Sequence, residues 1–264
     1  MTNNEVRPRF IDTRQHKRFV QFSESCRINR YMGVCTGRSG VGKTRSAQEY
    51  ANWNQIEALL NQPRHRLTAP PRLDNCHTAI YTPDVSCSVR GIEKALAILR
   101  NRFDKLMEDS LCWYEPDTWR KTQQRFFLEL LIIDKAQRLS FKCLQTVSDF
   151  VEKHKIGLVL LGMPGFDRRI RNYEELNNRV GFYHVFNTPR TDELRAILEA
   201  RWESQQVIIE ESAVVMLEKV TCSNIRKLVN INAEISRVCE LNSVTVIDGD
   251  LVQVASKTLL LDSV

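Results

Sequence analysis

Apolar residues fall in short unbroken runs across the first two thirds of the chain and at helical spacing across the last third. The runs Tyr31-Met-Gly-Val-Cys-Thr36, Thr78-Ala-Ile-Tyr-Thr82, Leu128-Glu-Leu-Leu-Ile-Ile-Asp134, Gly157-Leu-Val-Leu-Leu-Gly162 and Phe182-Tyr-His-Val-Phe186 predict five strands. The third and fourth are almost wholly Leu, Ile and Val, the composition of parallel strands buried on both faces. Helical patterns stand between them at Arg45–Trp53, Ser88–Met107 and Phe141–His154. This alternation predicts an α/β sandwich on a mostly parallel five-stranded sheet, with ligand at the carboxyl ends of the strands. Residues 190–264 carry helical patterns at Asp192–Ser204, Glu211–Val220, Asn224–Asn242 and Gly249–Leu260, and no strand pattern. They predict a small all-helical C-terminal domain, a lid. Residues 1–28 are polar and basic, with Phe19, Val20 and Phe22 spaced for a short helix within Thr13–Cys26. The chain thus divides into a basic N-terminal arm (1–28), an α/β domain (29–189) and the helical part (190–264). The Pro- and Arg-rich stretch 61–77 reads as a connecting loop.

The segment between the first strand and the first helix carries the chemistry. Gly37-Arg38-Ser39-Gly40-Val41-Gly42-Lys43-Thr44 fits the phosphate-loop pattern G-x-x-x-x-G-K-[ST]. Its glycines let the backbone curl so that successive N–H groups point at phosphate oxygens. Lys43 supplies a charge for the β- and γ-phosphates, and Thr44 a hydroxyl for Mg²⁺. Arg45 opens a helix whose N-terminus faces the anion. ATP and Mg²⁺ are the expected ligands. A phosphate-loop NTPase needs a second, acidic element at the end of a buried strand. Asp134, closing Leu130-Leu-Ile-Ile, supplies it and would hold Mg²⁺ directly near Thr44 or through a water.

These elements, in this order, resemble the AAA+ ATPases. In that family the acidic strand continues Asp-Glu, and the glutamate polarises the attacking water. Here position 135 is lysine. A lysine cannot act as a carboxylate base beside Mg²⁺. The resemblance therefore implies an ATPase that binds ATP and hydrolyses it slowly or not at all, as an engineered or selected substitution in intact surroundings would leave it. The resemblance also assigns Arg179, before the last strand, as an arginine finger that reaches a neighbour's ATP, with Arg168, Arg169 and Arg171 as competitors. Ser223-Asn-Ile-Arg226-Lys-Leu resembles the sensor-2 motif, which gives Arg226 a γ-phosphate contact; otherwise Ser223 is simply the cap of a helix. The position of sensor 1, Leu161-Gly-Met-Pro164, has no polar residue to carry that role.

The run Cys26-Arg-x-x-Arg-Tyr-Met-Gly-Val-Cys-Thr-Gly-Arg-Ser-Gly-Val-Gly-Lys-Thr, then Tyr50-Ala-Asn-Trp53, then Leu131-Ile-Ile-Asp134-x-Ala-Gln-Arg-Leu139 is similar to the TnsC/TniB/MuB group of transposition regulators. The resemblance covers roughly residues 10–240. It implies ATP-dependent assembly of many copies into a ring or helical filament on double-stranded DNA. It further implies recruitment of a transposase and contact with a TniQ/TnsD-like target selector, with hydrolysis as the timer. Lys135 would then favour a persistent assembly. DNA contact falls to basic residues lining the pore, and two clusters offer themselves: Arg90 with Lys94, and Arg120 with Lys121 beside Trp119.

Composition narrows the alternatives. The net charge is +6, which favours a polyanionic partner. No apolar run approaches the ~20 residues that span a bilayer, and the first residues lack the apolar segment of a secretory signal. The expected location is cytoplasmic, without a membrane partner. The 8 cysteines form no C-x-x-C pair, so zinc is not expected, and several sit among apolar neighbours as reduced core residues. Within the same fold the competing function is a helicase loader of the DnaC/IstB kind, which differs in preferring single-stranded DNA. A nucleotide switch without DNA, or a small-molecule kinase, is less well served by the basic balance and the long helical C-terminus.

Overall fold

The computed structural model describes residues 10–61, 71–73, 76–121, 126–202, 207–242 and 244–259. Part of the connector expected over 61–77 lies outside them. In chain order the elements are α1 (Arg14–Asn29), β1 (Met32–Thr36), α2 (Lys43–Tyr50), α3 (Trp53–Leu60), β2 (Thr78–Tyr81), α4 (Val89–Tyr114), α5 (Pro116–Lys121), β3 (Leu130–Ile133), a 3-10 turn (Ala136–Arg138), α6 (Phe141–His154), β4 (Gly157–Gly162), α7 (Phe166–Arg171), α8 (Glu174–Asn177), β5 (Val180–Val185), α9 (Thr191–Trp202), β6 (Ile208–Ile209), α10 (Glu211–Thr221), α11 (Ile225–Asn242), β7 (Val246–Ile247) and α12 (Gly249–Thr258). They form two compact units. One comprises Arg18–Gly37 with Lys43–Phe186; the other joins residues up to Lys17, Arg38–Gly42 and the chain from Asn187 onward.

The first unit is built on a five-stranded sheet of order β2-β3-β4-β1-β5, parallel at every pairing. Every residue of β1, β3 and β4 is buried, which is why those strands read as continuous apolar runs. Each such Leu, Ile or Val contributes ~1.5–3 kcal/mol by leaving water. β5 is an edge strand whose residues are exposed or half-buried. Long helices cover the sheet through apolar stripes: Ile92, Leu96, Phe103, Leu106 and Met107 on α4, and Leu144, Val147 and Val151 on α6. Ser88 and Ser140 cap these two helices, accepting from the Gly91 and Cys143 amides. α6 ends where Lys155 turns left-handed at φ 56°. The N-terminal helix is longer than its expected 13–26 span and buries Phe19, Phe22 and Cys26. Phe19 packs on Tyr50 and Phe186, and Phe22 stacks on His184. Burial pushes the Cys26 and Cys35 thiols up to about 12, so these two are inert core residues.

The helix expected over Arg45–Trp53 is two helices. Asn52 adopts φ 49° and breaks the run between α2 and α3, and no Gly or Pro announces the break. α4 runs past its expected end at Met107 to Tyr114.

Asp104 on α4 sets the entry to β3. Its Oδ1 accepts the amides of Phe127 (2.7 Å) and Leu128 (3.0 Å), and Arg100 lies 3.6 Å from its other oxygen. Asp104→Ala strips the acceptor from both amides, one of them buried. A loss of about 2–4 kcal/mol is expected, read as a lower urea midpoint at unchanged slope. A loss below about 0.5 kcal/mol would show that water replaces the carboxylate freely.

The second unit packs α9 to α12 around Leu194, Leu198, Trp202, Leu217, Leu228, Ile231, Ile235, Ile247 and Val252. The Trp202 indole donates to Asn232 Oδ1 at 2.9 Å, which satisfies the one polar atom of a buried ring. The sequence pattern names no strand here. The structure adds β6 and β7, a parallel pair only two residues long on each side. Two residues are too few to show an alternating pattern.

Candidate nucleotide site

β1 delivers the chain from a fully buried strand into the loop 37–42, and α2 begins at Lys43. Gly40 and Gly42 adopt φ of 78° and 106°, conformations that glycine takes without strain. Gly37 lies so close to the Phe186 carbonyl that a β-carbon would overlap it. Arg38 and Ser39 are exposed, Val41 is buried, and Arg45 is half-buried on the first turn of α2. The Lys43 ammonium donates to the Gly37 carbonyl at 2.6 Å, which folds the side chain back along the loop.

Asp134, ninety positions after Thr44, directly follows β3. Its amide donates to the Tyr81 carbonyl at 2.9 Å, and the residue is buried. Both carboxylate oxygens are engaged. Oδ2 accepts the Thr44 hydroxyl at 2.9 Å, and Oδ1 accepts the Lys135 amide at 2.9 Å. The structure thus joins Thr44 and Asp134, the two residues read as Mg²⁺ ligands. A hydroxyl and a carboxylate are hard oxygen donors and fit that ion. Among the described residues no cluster of three or more His, Cys, Asp or Glu side chains could hold a metal. One carboxylate, one hydroxyl and substrate phosphates make the donor set Mg²⁺ takes at nucleotide sites.

Lys135 follows in the left-handed conformation, φ 56° and ψ 40°, and turns the chain from β3 into the 3-10 segment. Its side chain is exposed. Arg169 braces that segment by donating to the carbonyls of Gln137 (3.1 Å) and Leu139. Arg138 donates to the Pro83 carbonyl at 3.0 Å and ties it to the connection after β2.

The remaining candidates separate. Arg179 lies before β5, and its guanidinium meets Ser148 Oγ (2.8 Å), Asp149 (3.2 Å) and Glu152 (3.1 Å), all on α6. Of its competitors, Arg169 is committed to the backbone carbonyls named above, Arg171 lies 4.0 Å over the Tyr183 ring, and Arg168 is exposed. Arg226 sits in the first turn of α11. Its amide is 3.4 Å from the Gly40 carbonyl, and its guanidinium 3.4 Å from Ser39 Oγ. Residues 38–42 and α11 belong to the same compact unit.

The cap of α11 is Asn224 rather than Ser223. Asn224 Oδ1 accepts from the Arg226 (3.0 Å) and Lys227 (3.2 Å) amides, while its Nδ2 donates to the Ser39 carbonyl at 3.0 Å. Cys222 and Ser223 are both left-handed, at φ 48° and 56°, and this moves the cap one residue on. Sequence reasoning passed over Asn224. The signal available was an asparagine, a strong cap former, directly before the apolar-periodic stretch.

Arg90 and Lys94 are exposed on the first turns of α4, on the side away from Ile92 and Leu96. Arg120 and Lys121 fall at the end of α5, and their side chains lie outside the described residues. Among the described residues, no helix is long and apolar enough to cross a membrane.

Residues 27–170 match a family model described as an AAA domain. The chain is 27% identical to a Staphylococcus aureus protein described as a potential ATP-binding protein, over 99% of each chain. Among solved structures, it resembles the Thermotoga maritima RuvB Holliday junction branch migration motor at 16% identity and a TM-score of 0.59, covering 92% of this chain and 68% of that one. It also resembles the Aeropyrum pernix ORC2 protein, solved with ADPNP and ADP, at 15% identity and a TM-score of 0.60, covering 99% and 71%. At such identities the structural likenesses establish the fold.

Proposed function

Because the chain belongs to the AAA-domain family, matched over residues 27–170, we propose that it is an ATP-binding regulator of transposition that assembles on duplex DNA. The observation that carries the nucleotide part is the Thr44 hydroxyl 2.9 Å from Asp134, beside a loop whose glycines adopt the curled conformation. Phosphates lie against the amides of 37–44, Lys43 takes the β- and γ-oxygens, and Thr44 and Asp134 hold Mg²⁺. That ion neutralises charge on the phosphates. Lys135 supplies no base, so turnover is slow and the loaded state persists. Arg226 contributes a γ-phosphate contact from the first turn of α11. Arg179 exchanges its α6 carboxylates for the phosphates of a neighbouring copy.

The DNA part rests on the net charge of +6, the exposed Arg90 and Lys94, and the resemblance of the 26–44 and 131–139 segments to the TnsC/TniB/MuB regulators. RuvB, named as a Holliday junction motor, is a DNA-acting protein of the same fold. In this reading the assembly contacts phosphates without regard to sequence and presents a surface to a transposase and to a TniQ/TnsD-like selector.

Sedimentation with ATP, Mg²⁺ and linear duplex DNA tests the reading. Large DNA-bound assemblies are expected, and Arg90→Ala with Lys94→Ala is expected to weaken binding to all sequences alike and flatten the salt slope by about 2. Material that stays monomeric under these conditions overturns the proposal. A preference for single-stranded DNA would move the function to a helicase loader.

A further inference from the structure

Two cysteines outside the nucleotide site are neighbours, the thiol of one against the backbone of the other. Cys87 lies in the connection between β2 and α4, directly before the Ser88 cap, and Cys143 lies in the first turn of α6. The Cys143 thiol donates to the Cys87 carbonyl at 3.6 Å. The Cys87 thiol lies 3.8 Å from the Ser88 carbonyl. Cys143 is buried at 1% exposure, whereas Cys87 is partly exposed. One thiol is partly open to a reagent and the neighbouring one is shielded. This is the arrangement of an attacking and a resolving cysteine.

We propose that Cys87 and Cys143 form a modification site, a dithiol that a small-molecule disulfide converts to an intramolecular disulfide. The Cys87 thiolate attacks one sulfur of the reagent. The reagent's S–S bond breaks, one reagent thiolate leaves and takes up a proton, and a mixed disulfide forms on Cys87. Cys143 then loses its proton to solvent and attacks the Cys87 sulfur, which releases the second reagent thiol. The two protein thiols give up two electrons, and the reagent disulfide is reduced to two thiols.

The bridge matters because of what it would tie down. The connection after β2 already receives the Arg138 guanidinium at Pro83, and Tyr81 holds the Asp134 amide. It leads straight into the turns that carry Arg90 and Lys94. A covalent link to α6 would remove the freedom of this connection between the acidic strand end and the basic start of α4. Burial first, and then the neighbouring Cys143 and Asp84, raise the Cys87 thiol above its ordinary value. The attacking thiolate is therefore scarce at neutral pH, and the reaction rate climbs with pH.

The test uses the full chain incubated with oxidised glutathione, followed by alkylation of the remaining thiols, digestion and mass spectrometry. The expected result is a Cys87–Cys143 linked peptide, with two fewer alkylated thiols and a rate that rises from about pH 7 to about pH 9. Cys87→Ser should form neither the link nor a glutathione adduct in this segment. Cys143→Ala should accumulate glutathione on Cys87, because the resolving thiol is gone. Cys143 is buried, so the soluble and folded Cys87→Ser variant provides the independent control. Glutathione retained on Cys87 of the unaltered chain, or modification confined to Cys112 and Cys222, overturns the proposal.

Discussion

Lys135→Glu raises the single-turnover rate of ATP hydrolysis by about 10²–10⁴-fold, the usual contribution of a positioned general base. β3 delivers position 135 one residue beyond Asp134, whose Oδ2 touches Thr44. In the proposed site a carboxylate at 135 would follow directly on the residue proposed to hold Mg²⁺, where a water attacking the γ-phosphate would need a proton acceptor. The substitution is structurally inexpensive. The side chain is exposed, so no packing is lost, and the left-handed backbone at φ 56° strains lysine and glutamate alike. The Lys135 amide bond to Asp134 belongs to the backbone and survives the change. ATP affinity should alter little, since the change leaves Lys43 in place. Rapid-quench measurement at saturating nucleotide separates the rate from binding. An unchanged rate would mean that another group orients the water and that lysine at this position does not limit turnover. If hydrolysis is the timer of the assembly, the same variant should also shorten the lifetime of DNA-bound particles.

Lys43→Ala lowers ATP affinity by about 100-fold, equivalent to ~2.7 kcal/mol, the worth of one or two charge-assisted hydrogen bonds to phosphate. The ammonium currently bonds the Gly37 carbonyl at 2.6 Å. It is therefore held at the start of the loop. Removing it takes away a charge at short range but leaves the loop conformation to Gly40 and Gly42. Calorimetric titration with ATP and Mg²⁺ reads the change, and unfolding in the absence of nucleotide should be unaffected. A loss under about threefold would place the phosphates elsewhere than along residues 37–44. Assembly on DNA should fail in this variant at ATP concentrations that saturate the unaltered chain.

The central strands were legible because each is buried on both faces. An all-apolar stretch such as Leu130-Leu-Ile-Ile has few other places in a folded chain. The phosphate loop was legible because its chemistry needs glycine at fixed offsets, and the left-handed angles at Gly40 and Gly42 are the physical reason for two of them. The split between α2 and α3 was not legible. Asn52 tolerates a left-handed angle without demanding it, so the break depends on how Trp53 and Ile56 bury themselves. The surroundings of Arg179 were equally hidden, since its partners Asp149 and Glu152 lie on a helix about thirty positions earlier in the chain.

By itself the sequence determined the strands of the central sheet, most of the long helices, the phosphate-binding loop, the acidic strand end and the lysine that follows it. These are written in near neighbours, through periodicity, turn chemistry and fixed spacing. Tertiary structure decided which distant groups meet. The order β2-β3-β4-β1-β5 separates β1 from β3 by one strand, yet Thr44 and Asp134 close to hydrogen-bond distance. It also decided that Asn224 caps α11 while holding Ser39, and that the Cys143 thiol meets the Cys87 carbonyl. No local pattern encodes such pairings, because they arise from how the buried faces of whole elements pack, and packing is a property of the assembled core.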